Sequence, residues 1–204
     1  MHAYVPEYYD IATHAAMVNR VSSVMGPDLL AWGFSVIVRK PGQVHRWHVD
    51  VEHLRWPGVT AMLALRNTTL KSSLKVINGS HRFIATPQQV GVKNDDDAIA
   101  TCLRLSGSAK LVTVDLKDGE FFLFAGTLWH GSENKGKEPR TSIIVQYSRP
   151  ESKVEIPTNW DEPIVWHAAR PPCILVSGRD RCGKNRLVPR PLAEMTGAVP
   201  VLDK

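Results

Sequence analysis

The segment FLFAGTLWHGSENKGKEPRTSIIVQY (Phe122–Tyr147) sets two strand-like runs on either side of a polar stretch. Residues 120–124 and 141–147 are rich in aromatic and β-branched side chains, which favour β-strands. The stretch between them contains glycine, asparagine and proline, which favour turns. His130 ends the first strand-turn unit, and Arg140 begins the next strand ten residues later. The segment therefore predicts short strands joined by turns.

Similar short runs recur on the N-terminal side of this segment. Turn signals separate them, such as Trp56-Pro57-Gly58 and Asn78-Gly79. Many short strands separated by turns indicate an all-β core, built as a sandwich or a barrel. The further predicted strands cover residues 29–40, 45–51, 59–65, 74–77 and 110–115.

Helical structure is predicted mainly at the N-terminal flank of this core. Apolar residues at helical spacing in 10–24 predict one amphipathic helix, which Gly26-Pro27 stops. Residues 86–109 are predicted to form a long loop that contains a short helical turn. A chain of 204 residues suits a single domain, with a core of about 29–150 and a C-terminal extension over 151–204.

Composition excludes several classes of protein. Hydrophobic content of 43% and charged content of 22% are those of an ordinary globular chain, and no apolar run is long enough to span a membrane. The N-terminus has no secretory pattern, and three isolated cysteines form no disulfide framework, so a cytoplasmic location is expected. Most of the net charge of +5 belongs to residues 167–204, but no nucleic-acid-binding pattern accompanies it. The sequence leaves the oligomeric state open.

The stretch CILVSGRDRCGKNRL (Cys173–Leu187) comes close to the phosphate-binding pattern G-x-x-x-x-G-K-[ST]. Its last position is Asn185, which cannot supply the hydroxyl that binds magnesium in that motif. Pro189 and Pro191 then block the helix whose N-terminus would face the phosphates. The stretch is therefore predicted to be a surface turn that follows a strand, and a nucleotide-dependent enzyme is disfavoured.

The residues that carry chemistry are found elsewhere. His48 and Asp50 are two positions apart, so on a strand both side chains project from the same face. With His130 they supply two imidazoles and one carboxylate, the facial set of non-haem Fe(II) oxygenases, which leaves coordination positions open. A chelating 2-oxo acid and O₂ need such positions. Arg140 and, two residues along the strand, Ser142 could hold the distal carboxylate of 2-oxoglutarate.

Three stretches resemble the phytanoyl-CoA dioxygenase family of Fe(II)- and 2-oxoglutarate-dependent oxygenases. They are WHVD (Trp47–Asp50), VINGSHRF (Val76–Phe83) and residues 119–150, within a resemblance over about 29–150. Asn78 stands where the family usually has proline, and 47 residues precede His48, fewer than the family usually carries. The resemblance implies a double-stranded β-helix, a cupin-like jelly roll with a few flanking helices.

The resemblance also implies roles for single residues and a reaction. His48, Asp50 and His130 would bind Fe(II), while Arg140 and Ser142 would bind 2-oxoglutarate. His45, which lies three residues before His48, could contact 2-oxoglutarate or the substrate on the ground of its position alone. The reaction would consume O₂ and 2-oxoglutarate and hydroxylate an unactivated C–H bond of a small-molecule metabolite. Related halogenases lack the carboxylate, so Asp50 favours hydroxylation.

Other outcomes remain open from the sequence alone. Desaturation, epimerisation and ring formation use the same ligands, and the substrate could be free, carrier-bound or a coenzyme A thioester. A non-catalytic cupin that binds metal is the alternative from another class, although it would not need Arg140. Trp47 and Trp129 are expected to pack beside the ligands, and His53 and Arg55 are expected near the mouth of the site.

Overall fold

The computed structural model of the chain describes residues 3, 5–50, 57–156 and 170–192. Its elements within these ranges are three α-helices, one 3₁₀ turn and nine strands. The helices are α1 (Pro6–Ala12), α2 (Ala15–Met25) and α3 (Asp95–Ser106), and the 3₁₀ turn is Ser80–Arg82. The strands are β1 (Leu29–Arg39), β2 (Val44–His48), β3 (Gly58–Arg66), β4 (Leu74–Ile77), β5 (Leu111–Thr113), β6 (Phe121–Ala125), β7 (His130–Glu133), β8 (Arg140–Ser148) and β9 (Ile174–Ser177).

The strands form two sheets, and the predicted all-β core is confirmed. The strand order is β6-β3-β8-β1-β9 in one sheet and β2-β7-β4-β5 in the other. Antiparallel pairing joins β1 to β9, β2 to β7, β3 to β6, and β4 to both β5 and β7. Two antiparallel sheets whose neighbours are mostly non-consecutive in the chain are typical of a jelly roll. No helix among the described residues is long and apolar enough to cross a membrane.

The chain divides into two compact units, residues 36–144 and residues 1–35 with 145–204. The first unit holds an apolar cluster to which strands of both sheets contribute. Because side chains alternate along a strand, every second residue of β3 and β6 joins it. Its buried members are Met62, Ala64, Leu74, Val76, Val114, Leu116, Phe124 and Leu128. This cluster fixes the strands that carry the polar residues of the candidate site.

A second apolar cluster in residues 36–144 covers the other face of β2 and β4. Trp47 and Trp129, both expected to pack, meet Ala98 and Cys102 of α3 there. The region 86–109 was predicted to be a loop, and that prediction is wrong for α3. The overlooked signal is local: the Asn94 side chain caps Asp97 N–H, and three aspartates in the first turn suit the positive end of a helix.

The unit of residues 1–35 and 145–204 contains α1, α2, β9 and parts of β1 and β8. The single helix predicted over 10–24 is two helices, because the chain breaks at Thr13 and the His14 ring caps Ala16 N–H. Tyr147 is fully buried, and its hydroxyl donates to Ala12 O at 2.8 Å. This contact holds the end of α1 against β8.

The glycine-containing stretch at 178–186 is an exposed turn after β9, as predicted. Asn185, at the position where a phosphate loop has its hydroxyl residue, hydrogen-bonds the backbone at Pro150, Ser152 and Val154. Lys184 Nζ donates to Glu151 O at 3.0 Å instead of standing free in solvent. Residues 188–192 form no helix. Through these contacts the stretch holds the backbone of residues 150–154, which belong to the same unit.

Candidate metal and cosubstrate site

The site lies in residues 36–144, where β2 pairs with β7. His130 is the first residue of β7 rather than the end of a strand-turn unit, which corrects the sequence prediction. His48, the last residue of β2, stands opposite His130, and His45 stands opposite Ser132. Three steps along β2 thus match two along β7, which is the signature of a β-bulge. The bulge brings His45 to the same face as His48.

Both histidine rings are fixed by a backbone carbonyl two residues earlier in the chain. His48 Nδ1 lies 2.8 Å from Arg46 O, and His130 Nδ1 lies 2.8 Å from Leu128 O. A carbonyl oxygen can only accept, so each Nδ1 carries the hydrogen. The lone pair of each neutral ring is then on Nε2, and the carbonyls orient it.

Asp50 faces these two nitrogens with one carboxylate oxygen. Its Oδ1 lies 3.4 Å from His130 Nε2 and 3.7 Å from His48 Nε2. Asp50 lies just beyond β2 rather than on the strand, and its N–H donates to Gly126 O at 2.8 Å. The three ligand atoms fall within 4.8 Å of one another, the spacing of groups that share one metal ion. The convergence predicted for these side chains is present.

The second oxygen of Asp50 is held by a residue that the sequence did not single out. Thr60 on β3 is buried, and its hydroxyl donates to Asp50 Oδ2 at 2.6 Å. Thr60 lies opposite Phe124 on β6, and the Phe124 ring packs against the His130 ring with centroids 4.8 Å apart. A threonine within a strand is an ordinary β-former, so its sequence context carries no signal.

The electrostatics of the cluster favour a bound cation. Burial alone would raise the pKa of Asp50, but charge and hydrogen bonding from His130, then His48 and Thr60, hold that pKa well below its usual range. Burial, followed by the charges of His130 and His45, lowers the pKa of His48. The contribution of the histidine charges to the pKa of Asp50 requires protonated rings. When both rings are neutral, their Nε2 lone pairs instead repel the ionised carboxylate of Asp50, and a bound cation would supply the missing positive charge. The donor set of two nitrogens and one oxygen suits Fe(II) with open positions.

Arg140 and Ser142 provide the second part of the site. Arg140 is 2% exposed and Ser142 is 1% exposed, and both lie on β8 two residues apart. Among the described residues no partner accepts from Arg140 Nε, Arg140 Nη1 or the Ser142 hydroxyl. A buried guanidinium without a counter-ion is costly, so these donors indicate an anionic ligand. Burial, followed by the charge of Arg39, lowers the pKa of Arg140 to about 10, so the guanidinium stays protonated at neutral pH.

His45 stands at the open side of this arrangement. Its ring packs on His48 with centroids 4.1 Å apart, while the residue as a whole is exposed. Partial burial, followed by the charge of Arg39, lowers the pKa of His45 to about 4, which keeps the ring neutral at pH 7. His45 is thus beside a proposed metal ligand, where it could contact a chelating ligand. His53 and Arg55, expected near the mouth, lie outside the described residues.

Two hydrogen bonds to one carboxylate connect β2, the strand of His48, and β4 to α3. Trp47, next to His48, donates its indole N–H to Asp95 Oδ1 at 3.1 Å. Lys75 on β4 donates to Asp95 Oδ2 at 2.6 Å. Asp95 is the first residue of α3, so this carboxylate fixes the helix to both strands. Sequence spacing could not show this contact, since the residues are far apart in the chain.

The comparisons with known proteins agree with this geometry. The family profile described as phytanoyl-CoA dioxygenase (PhyH) matches residues 2–142, more than half of the chain. A search of curated protein sequences found no match.

Several known structures share the fold at low sequence identity. The non-heme monooxygenase ThoJ in its apo form is 21% identical, with a TM-score of 0.65 over 93% of this chain. EctD from S. alaskensis in its apo form is 22% identical, with a TM-score of 0.62 over 93% of this chain. The epimerase SnoN, in complex with Fe³⁺, alpha ketoglutarate and nogalamycin RO, is 17% identical, with a TM-score of 0.58 over 80%.

This chain spans only part of each of these proteins. The matched region is 68% of the ThoJ chain, 66% of the EctD chain and 69% of the SnoN chain. For the ThoJ–nickel complex, the matched region is 66% of the ThoJ chain. These likenesses establish the architecture, and the reaction has to be argued from the site itself.

Proposed function

Since this chain belongs to the phytanoyl-CoA dioxygenase family, we propose that it is an Fe(II)- and 2-oxoglutarate-dependent oxygenase that hydroxylates a small molecule. One observation carries the proposal. A cluster of two histidines and one aspartate occurs together with a buried arginine whose Nε and Nη1 have no acceptor within the part of the chain that the structure describes. The cluster is suited to Fe(II), and the arginine is suited to the distal carboxylate of a 2-oxo diacid.

The chain's own residues would hold the metal in a defined geometry. His48 and His130 present Nε2 because Arg46 O and Leu128 O fix the Nδ1–H tautomers. Asp50 presents Oδ1 because Thr60 holds Oδ2. Three ligand atoms on one side leave the opposite side for the 2-oxo acid and O₂.

Arg140 and Ser142 would orient 2-oxoglutarate. Arg140 can donate two parallel hydrogen bonds to a carboxylate, and Ser142 can add a third. Their burial excludes water from that end of the cosubstrate, which strengthens each charge-assisted contact. His45 is placed to flank the chelating end from the open side.

Bound iron supplies the oxidising chemistry, and the protein supplies orientation and a dry environment. The overall reaction is R–H + 2-oxoglutarate + O₂ → R–OH + succinate + CO₂, in which one oxygen atom enters succinate and the other enters the product. The carboxylate of Asp50 occupies the position that a halide would need in a halogenase. Hydroxylation therefore suits this ligand set better than halogenation.

Epimerisation is the second candidate outcome. SnoN, which shares the fold at 17% identity, is described as an alpha-ketoglutarate-dependent epimerase. The same ligands can serve either outcome, because the two reactions diverge only after a hydrogen atom has been removed from the substrate. A non-catalytic cupin is disfavoured by Arg140, since a metal-binding jelly roll without a 2-oxo acid has no need of a buried guanidinium that none of the described carboxylates pairs with.

Succinate release tests the proposal. Purified protein with Fe(II), ascorbate, 2-oxoglutarate and O₂ should release succinate, faster when the true substrate is present. A candidate panel of small molecules, scored by mass for a gain of one oxygen, would separate hydroxylation from epimerisation, which leaves the mass unchanged. His130→Ala serves as the metal-site control and should release none. Equal succinate release by wild type and His130→Ala would refute the function.

A further inference from the structure

A second arginine lies beside Arg140. Arg39 is the last residue of β1, Arg140 is the first residue of β8, and these strands are neighbours in one sheet. Arg39 is half-buried, and its buried Nε has no hydrogen-bond partner in residues 5–50, 57–156 or 170–192. Within the described ranges, neither arginine forms a salt bridge with a carboxylate. Two guanidinium groups thus share one region without an acidic partner.

A buried asparagine fixes how close the two arginine backbones are. Asn134 is 1% exposed, and its Nδ2 donates to Arg39 O at 2.8 Å and to Glu138 O at 2.9 Å. Glu138 is two residues before Arg140. One amide group therefore holds the end of β1 and the segment entering β8 together, so the two side chains start from adjacent points.

The positive charges of the Arg39 and Arg140 side chains repel one another. Burial is the largest cause that lowers the pKa of Arg140, and the positive charge of Arg39 is the second. The same two causes, in the same order, lower the pKa of His45. Two cations, one of them buried, destabilise a fold unless an anion lies between or beside them. A carboxylate has two oxygens and about four lone pairs, enough to accept from both arginines and from Ser142 together.

We propose that Arg39 is a further cosubstrate-binding residue, which joins Arg140 and Ser142 in a two-arginine site for the distal carboxylate of a 2-oxo diacid. The inference rests on the proposed function, because it assigns a ligand to the same site. Arg140 supplies the buried contact, and Arg39 supplies the second cation from the less buried side. Such a site would favour a dianionic 2-oxo acid over one without the distal carboxylate.

Calorimetric titration without O₂ tests this assignment on Mn(II)-loaded protein. The two ligands are 2-oxoglutarate and 2-oxopentanoate, which has the same chelating end and no distal carboxylate. Arg39→Gln should weaken 2-oxoglutarate binding by about tenfold, the low end for a charge-assisted contact, and 2-oxopentanoate binding by less than about twofold. Arg66→Gln, at the exposed end of β3, is the matched control and should change neither.

Two results would overturn the inference. One is an unchanged 2-oxoglutarate affinity in Arg39→Gln, which would assign Arg39 to another anion such as a substrate carboxylate. The other is equal weakening of both 2-oxo acids, which would mean that the change disturbs the metal end. Arg39→Lys keeps the charge, and its affinity for 2-oxoglutarate alone should fall by about threefold. This variant keeps the test decisive if the glutamine variant folds poorly. If wild-type protein with Mn(II) binds no 2-oxoglutarate, the proposed function itself fails.

Discussion

Thr60 donates a hydrogen bond to Asp50 at 2.6 Å, and this contact decides which carboxylate oxygen faces the histidines. Oδ2 is occupied by the hydroxyl, so Oδ1 is the oxygen that lies 3.4 Å from His130 Nε2. A carboxylate held in this way can offer one oxygen to a metal rather than two. One-oxygen binding leaves more positions for the 2-oxo acid and O₂.

Replacing Thr60 by valine should weaken metal binding. The hydroxyl is lost at nearly constant shape, so Asp50 Oδ2 is freed and the carboxylate can turn. A partner that orients a ligand typically contributes 10- to 100-fold in metal affinity, and we expect about tenfold here. Thr60→Ser keeps the hydroxyl and should stay within about threefold of wild type. Competitive Co(II) titration against a chelator measures both, and equal affinities in the two variants would contradict the role of Thr60.

Replacing Asp50 by alanine should abolish hydroxylation. The change removes the carboxylate that the described residues contribute to the metal cluster, and with it the charge that balances the cation. Succinate release and substrate oxidation are the measurements, with Asp115→Ala, at an exposed position between β5 and β6, as the carboxylate control. Wild-type turnover in Asp50→Ala would remove this residue from the metal site.

Replacing Arg140 by alanine should raise the 2-oxoglutarate requirement sharply and leave metal binding nearly intact. A charge-assisted bidentate contact contributes about 2–3 kcal/mol, or roughly 30- to 150-fold in affinity. The 2-oxoglutarate dependence of succinate release gives the ratio, and Co(II) titration gives the metal affinity. An unchanged 2-oxoglutarate dependence would move the main anchor away from Arg140.

The metal-free protein should lose stability as the pH falls below about 6.5, the pKa of an unperturbed histidine. Folding lowers the pKa of His48 and of His45, the latter to about 4, so the unfolded chain binds more protons between these limits. Stability therefore rises with pH across this window and is fully present above it. Urea unfolding at pH 7.5, 6 and 5 should show that the free energy of unfolding falls with pH, and this fall should be smaller in His48→Gln. A free energy of unfolding that does not change with pH in wild-type protein would contradict the prediction.

Replacing Asn185 by alanine should lower stability without removing turnover by the folded protein. The side chain makes three hydrogen bonds, to Pro150 O, Ser152 O and Val154 N, worth together about 2–3 kcal/mol. Lys184→Ala should change stability by about 0–1 kcal/mol, since its single contact is exposed. Urea unfolding separates the two variants. Magnesium-dependent ATP binding by wild-type protein would show that the stretch is a nucleotide site after all.

Strand patterns and motif spacing predicted most of the fold. The run 74–77 matches β4 at both ends, and the runs 59–65 and 141–147 match β3 and β8 within one residue. The strand predictions missed β7 and extended β2 past its end at His48. The other failures concern helices. Capping by Asn94 begins α3 inside a predicted loop, and the break at Thr13 divides a predicted single helix. Caps act over a few residues and are easily outweighed by a longer periodic pattern.

The sequence by itself determined the set of metal-ligand candidates and their cosubstrate partner, because an H-x-D pair, a distant histidine and an arginine ten residues later are properties of residue type and spacing. Only the tertiary structure decided which other residues meet them. Thr60 reaches Asp50 across the site, Asn134 holds the ends of β1 and β8 together, and a bulge turns His45 onto the ligand face. These contacts depend on strand register, and a shift of one residue reverses which side chains share a face. Register is set by pairing between distant segments, so it cannot be read from any one of them.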